Sequence, residues 1–140
     1  MGIRLRPLTW FQPKPLLPLW GVPLLEHGLR LLEAWGVETI AVNTHWHAQQ
    51  VVRMLERRGG SARIRISHEA RLLGTGGALR PLQSFFEREP FWVLNADVAA
   101  DLSPDGLLHC FARRGALACA WVEDRRGPRT VKLFRDCLLY

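Results

Sequence analysis

The chain has 140 residues, 48% of them apolar and 23% charged, with a formal net charge of +6. One domain with a real core is the prior for that length, and no apolar run reaches the roughly 18 residues of a membrane span. The basic amino-terminal residues are not followed by the apolar stretch of a secretory leader. Cys110, Cys119 and Cys137 are odd in number and lack metal spacing, so they read as reduced, buried thiols of a cytoplasmic protein. The positive charge is nearly all arginine, Lys14 and Lys132 being the only lysines. No basic run carries interleaved aromatics, so neither a nucleic acid nor a membrane is expected as partner. The pairs Arg57-Arg58 and Arg113-Arg114 read as solvated helix ends.

The opening stretch, residues 2–19, predicts a loop that approaches a ligand closely. Gly2 lets the backbone come near, Arg4 supplies a planar charged fork, and Lys14 stands between Pro13 and Pro15 on a stiffened segment. That is what handling a polyphosphate requires. Trp20-Gly21 is a turn. A helix follows Pro23, with Leu24, Leu25, Leu29, Leu32 and Trp35 at helical spacing and Gly36 as its stop. Residues 37–43 predict a strand buried on both faces. A second helix runs to about Arg58, with Trp46, Val51, Met54 and Leu55 inward, and residues 63–67 predict another strand.

The loop 68–75 leads into a helix from about Gly76 to Phe86, and Phe91–Ala96 predicts an apolar strand. Ser103-Pro104-Asp105 starts a helix that Gly115 closes. Residues 116–122 predict a strand, and 130–134 with 137–140 a hairpin. Strands alternating with helices give an α/β fold with a mostly parallel sheet, in which ligands lie beyond the carboxyl ends of the strands. Trp10, Trp20, Trp92 and Trp121 read as core or turn anchors.

Two further motifs fall at strand ends. Glu69–Leu79 holds Gly74-Thr75-Gly76-Gly77, a glycine-rich turn that can pass backbone against an anion or a flat base. By itself it also reads as a simple helix entry. Asn95-Ala96-Asp97 closes an apolar strand with a carboxylate, a hard oxygen ligand suited to Mg²⁺ or, equally, a turn cap. His45 and His47, two apart, do not share a helix face and make a poor ligand pair. They read as structural, or as lying near a substrate edge.

The run Gly2-Ile3-Arg4-Leu5-Arg6-Pro7-Leu8-Thr9, followed by Pro13-Lys14-Pro15-Leu16-Leu17-Pro18, resembles the signature of the sugar-1-phosphate nucleotidyltransferases. Gly74–Leu79 resembles their second motif, and Asn95-Ala96-Asp97 a variant of their Asn-Gly-Asp. The resemblance covers roughly residues 2–122; Ile3 stands where the family usually has Thr. It implies a Rossmann-like sheet flanked by helices and transfer of a nucleotidyl group from a nucleoside triphosphate to a sugar-1-phosphate, with pyrophosphate released. It implies Arg4 and Lys14 as catalytic residues, Gly2, Glu69, Gly74, Gly76 and Gly77 as nucleotide-binding residues, and Asp97 as the Mg²⁺ ligand. GTP and UTP are the favoured triphosphates, and the oligomeric state is open.

The resemblance also implies a first strand ahead of residue 2 and a sugar-binding part beyond this chain. The expectation is therefore a single incomplete domain, truncated or started late, or one that fills the gap from elsewhere. Two other readings stay open: a non-catalytic relative that keeps the nucleotide pocket, and a basic α/β nucleic-acid module.

Overall fold

The structure, a computed structural model, describes residues 5–87, 89–121, 132–134 and 137–139. It contains two compact units, residues 1–102 and 103–140. In the first unit the order is α1 (Leu8–Phe11), a 3-10 turn (Lys14–Leu16), β1 (Pro18–Leu19), β2 (Val22–Pro23), α2 (Leu24–Ala34), β3 (Thr39–Thr44), α3 (Ala48–Arg57), β4 (Arg63–His68), α4 (Gly74–Leu79) and a second 3-10 turn (Arg80–Leu82). The second unit holds α5 (Asp105–Arg114), β5 (Lys132–Phe134) and β6 (Cys137–Leu139). Among the described residues no helix is long and apolar enough to cross a membrane.

α2 forms because its leucines recur on one side. Leu25, Leu29 and Leu32 are buried, and each such side chain is worth about 1.5–3 kcal/mol when fully removed from water. β3 is rich in β-branched residues and buries Ile40, Val42 and Thr44 in alternation. It pairs in parallel with β4, from Thr39 opposite Arg63 to Thr44 opposite His68. Leu16, the α2 leucines, Ile40, Val42, Val51 and Leu55 make one core, with Trp35, Met54, Ile64, Trp92, Leu94 and Ala96 packed against it. A parallel strand pair joined through a helix is the α/β arrangement that the alternation predicts. In the second unit β5 and β6 pair antiparallel, as the hairpin reading required.

Several expectations are corrected. Residues 91–95 and 116–121 are not strands. Residues 91–96 still alternate between exposed and half-buried, Trp92, Leu94 and Ala96 lying inward. Their sequence is that of a strand, but strand structure needs ladder pairing, and among the described residues this segment belongs to no sheet. The helix expected to reach Phe86 stops at Leu79 and tightens into a 3-10 turn, since Pro81 cannot continue the hydrogen-bond ladder. Trp20 sits in the turn but is 90% exposed, and Trp10 and Trp121 are exposed too, so these three are not core anchors. Cys110 and Cys119 are half-buried rather than buried.

Arg58 is the largest correction among the charged residues. Its side chain is only 4% exposed. Nε donates to Glu26 at 2.7 Å, while Nη1 and Nη2 donate to the two oxygens of Glu33 at 2.9 and 2.7 Å. Glu26 also accepts from Arg30 one turn along α2, and Glu33 accepts from the Ala62 amide just before β4. The network ties α2, the end of α3 and the start of β4 together. The Arg58 hydrogen bonds, joined by the Ala62 amide, hold the Glu33 carboxyl at about 2 against its ordinary 4.5. The same pairing raises Arg58 above its ordinary value.

Replacing Arg58 by Ala leaves the Glu33 carboxylate without a counter-charge and Glu26 with the more exposed Arg30 alone, and is expected to cost about 3–5 kcal/mol in urea unfolding. Because the folded-state value of Glu33 is depressed, its stabilisation is complete above pH 4.5 and is lost as the pH falls toward about 2. Urea midpoints measured across that window are expected to fall less steeply in Glu33→Gln than in the parent chain.

Candidate functional site

The amino-terminal segment is anchored over the carboxyl end of β3 by the residues leading into α3. Trp46 Nε1 donates to the Thr9 carbonyl at 3.3 Å, and Gln50 Nε2 donates to that of Phe11 at 2.9 Å. His47 Nε2 lies 3.0 Å from the Trp10 carbonyl oxygen, which requires the ring to carry its proton there. His47 itself takes a left-handed φ of 52°, so α3 starts at Ala48 rather than directly after β3. The two histidines thus hold loops in place, His45 doing so through Nδ1 at 2.8 Å from the Glu69 carbonyl oxygen.

Lys14 opens the 3-10 turn behind Pro13, whose φ of −67° and ψ of 144° keep the approach extended. Buried Leu16 anchors the far end of the turn in the core. From this mount Lys14 Nζ reaches Asp97 Oδ2 at 2.5 Å, across 83 residues of sequence. The two side chains are 37% and 36% exposed. A pair that open contributes about 0–1 kcal/mol to stability, so folding alone does not account for it. Arg4 and Gly2, the other expected members of the first motif, lie outside the described residues.

The glycine motif lies beyond the end of β4. Glu69 is 5% exposed. Its Oε1 accepts from Asn43 Nδ2 at 3.0 Å and its Oε2 from the Leu73 amide at 3.4 Å. Asn43 was not among the residues expected at the site; the available signal was a polar residue interrupting a β-branched strand just before its end. Gly74 has φ of +74°, a backbone that only glycine takes without strain. Gly77 packs so closely that an added Cβ would fall 2.5 Å from the Leu73 Cβ. Gly76 differs: it is exposed, and nothing lies within 4 Å of where its Cβ would be. Local packing supplies no reason for a glycine there.

Asn43, Glu69 and Gly74 line one end of a cavity of about 1030 Å³ in the first unit. Among the described residues no group of three or more His, Cys, Asp or Glu converges as a metal cage. A single carboxylate is nevertheless enough for Mg²⁺ when substrate phosphates complete the shell, so Asp97 fits that role by its donor chemistry. The structure thus joins the Lys14 motif to the Asp97 motif and holds the Glu69–Gly77 loop beside the carboxyl end of β3.

Gly74 and Gly76 are expected to separate in urea unfolding. Gly74→Ala forces a left-handed Cβ and costs about 1–2 kcal/mol, while Gly76→Ala is neutral or gains up to about 1 kcal/mol from helix propensity.

The Nucleotidyl transferase family profile matches residues 1–129. The chain is 36% identical over 129 residues to the N-acetylmuramate alpha-1-phosphate uridylyltransferase of Caulobacter vibrioides, a match covering 89% of this chain and 51% of the relative. It is 35% identical over 131 residues to the mannose-1-phosphate guanylyltransferase catalytic subunit beta of Danio rerio, covering 88% of this chain and 36% of that one. With the mannose-1-phosphate guanyltransferase of Emericella nidulans the figures are 34% over 118 residues, 81% and 32%. The chain spans about half the length of the first of these relatives and about a third of the others. The matched stretch takes in the loop of Lys14, the glycine turn and Asp97, and on that match the chain belongs to the nucleotidyl transferase family.

Proposed function

We propose that this chain carries the nucleotide-handling part of an enzyme that joins a nucleoside triphosphate to a sugar-1-phosphate and releases pyrophosphate. The observation that carries this reading is the Lys14–Asp97 contact at 2.5 Å, a solvent-accessible pair linking two motifs 83 residues apart. The names of the relatives, a uridylyltransferase and guanylyltransferases acting on sugar-1-phosphates, supply the substrate class.

The chemistry needs no protein nucleophile. An oxygen of the sugar phosphate attacks the α-phosphorus, the bond to the β-phosphate oxygen breaks, and pyrophosphate leaves with that electron pair. The protein's task is alignment and neutralisation of charge. Lys14, on its proline-stiffened turn, exchanges Asp97 for phosphate oxygens when substrate arrives. Arg4 steadies the departing pyrophosphate. Asp97, released from the ammonium, is the residue that holds Mg²⁺; bound there, the ion supplies Lewis acidity and a template for the phosphates. Glu69 and the glycine loop take the base, Gly76 allowing its backbone to come against it. Asn43 is a positioning residue, since it fixes one oxygen of Glu69.

Calorimetry with GTP, UTP, ATP and CTP in the presence of Mg²⁺ tests the binding half. GTP or UTP is expected to bind, Lys14→Met to weaken it at least about tenfold, the equivalent of one lost charge contact, and Asp97→Asn to remove its dependence on Mg²⁺. Gly76→Ala is expected to weaken binding without loss of stability. A pyrophosphate-release screen against mannose-1-phosphate and N-acetylmuramate-1-phosphate tests turnover. Binding without release selects the non-catalytic relative, and no binding of any triphosphate overturns the reading.

A further inference from the structure

The connection between β3 and α3 holds two loops at once. On one side the Glu69 amide donates to the Thr44 carbonyl at 2.8 Å, and His45 Nδ1 lies 2.8 Å from the Glu69 carbonyl oxygen. On the other, Trp46, His47 and Gln50 take the carbonyls of Thr9, Trp10 and Phe11, three in succession. Gln50 stands in the first turn of α3, whose Val51 and Leu55 belong to the core, so the connection leads into a fixed element. Apolar burial contributes little to the hold on residues 9–11. Leu8, Trp10 and Phe11 are each more than half exposed, and Thr9 alone of α1 is buried. The polar contacts therefore decide where the main chain of 9–11 lies.

From there to Lys14 the chain is stiff. The Gln12 amide bonds back to the Leu8 carbonyl at 3.3 Å, its side-chain Nε2 donates forward to the Leu16 carbonyl, and the Leu16 amide donates to the Pro13 carbonyl at 2.9 Å. A shift of residues 9–11 is thus carried to the ammonium on Asp97 rather than absorbed on the way. His47 bears backbone strain for its part in this. Its φ of 52° is uncommon for a residue with a Cβ, even for histidine, which tolerates it better than most. Glycine would take that backbone freely and still offer its carbonyl to the Gln50 amide, 2.9 Å away. What glycine lacks is the ring, with its bond to the Trp10 carbonyl and its edge contact with Trp46 at 4.6 Å. Strained residues of this kind gather where a ligand site needs a fixed geometry.

We propose that His47 is a positioning residue for the triphosphate: its ring fixes residues 9–11, and through them Lys14, relative to the Glu69 loop held by the other side of the same connection. The ring itself touches no substrate. It sets the phosphate-handling ammonium at a defined place with respect to the base-handling loop. The effect on triphosphate rests on the function proposed above; the hold on residues 9–11 does not.

Substitutions at His47, alone and combined with Lys14→Met, test it. His47→Gly removes the donor and the backbone strain together. Its urea midpoint is expected not to fall, while its affinity for GTP or UTP with Mg²⁺ falls about fivefold or more, the equivalent of one hydrogen bond. Amide exchange at residues 8–17 is expected to quicken by a similar factor. His47→Gln keeps an N–H donor of similar reach and is expected to hold affinity within about twofold of the parent chain. Added to Lys14→Met, His47→Gly is expected to weaken binding no further, since the ammonium it serves is gone. Unchanged affinity in His47→Gly overturns the proposal. So does a loss that Gln fails to restore, one that adds in full to that of Lys14→Met, or one matched by a fall in the urea midpoint, for His47 would then serve the fold alone. If the parent chain binds no triphosphate, the function proposed above falls instead, and exchange decides what is left: quickening at residues 8–17 sustains the hold of His47 on the segment, and unchanged exchange overturns it.

Discussion

The first unit depends on a guanidinium sequestered between two helices. Arg58 cannot lose its proton in this setting, and its fork is filled by Glu26 and Glu33. Remove that charge and α2 faces the end of α3 with Glu33 unpaired and Glu26 left to Arg30 alone. Keep it, and the leucines of α2 stay pressed on β3 while the Ala62 amide is steered into the start of β4. The parallel strand pair, and through it the positions of Asn43, Glu69 and the amino-terminal loop, are downstream of this clamp. Geometry makes it effective: a bidentate match to Glu33 and a further bond to Glu26 satisfy Arg58 from two directions.

Much of this was legible from residue pattern. The leucine spacing of α2, the β-branched run of β3 and the glycines at 36 and 115 are local signals, and each element lies within a few residues of where the pattern puts it. The candidate site residues were legible for a different reason. Lys14 between prolines, the glycine run and a carboxylate at the end of an apolar stretch each combine residue types that a core does not require, and two of the three motifs meet directly in space.

What was not legible depends on partners distant in sequence. Arg58 looks like any basic residue at a helix end until Glu26 and Glu33, 32 and 25 residues earlier, are brought beside it. Asn43 gains its role only from Glu69. The stretch 91–96 has the composition of a strand, and composition cannot reveal whether a neighbour is there to accept its amides. Pro81 was visible, but whether the helix would absorb it or stop was not.

The scarcity of lysine gives the ion pair at the site a practical meaning. Besides the terminal amine, the only primary amines in the chain belong to Lys14 and Lys132. An acylating reagent therefore has a short list of targets, and one of them is bonded to a carboxylate. Asp97 Oδ2 covers one side of that ammonium, and a reagent meets a different surface once the carboxylate is drawn elsewhere. Covalent labelling of Lys14 thus becomes a built-in reporter of what Asp97 is bound to, without any dye or engineered cysteine.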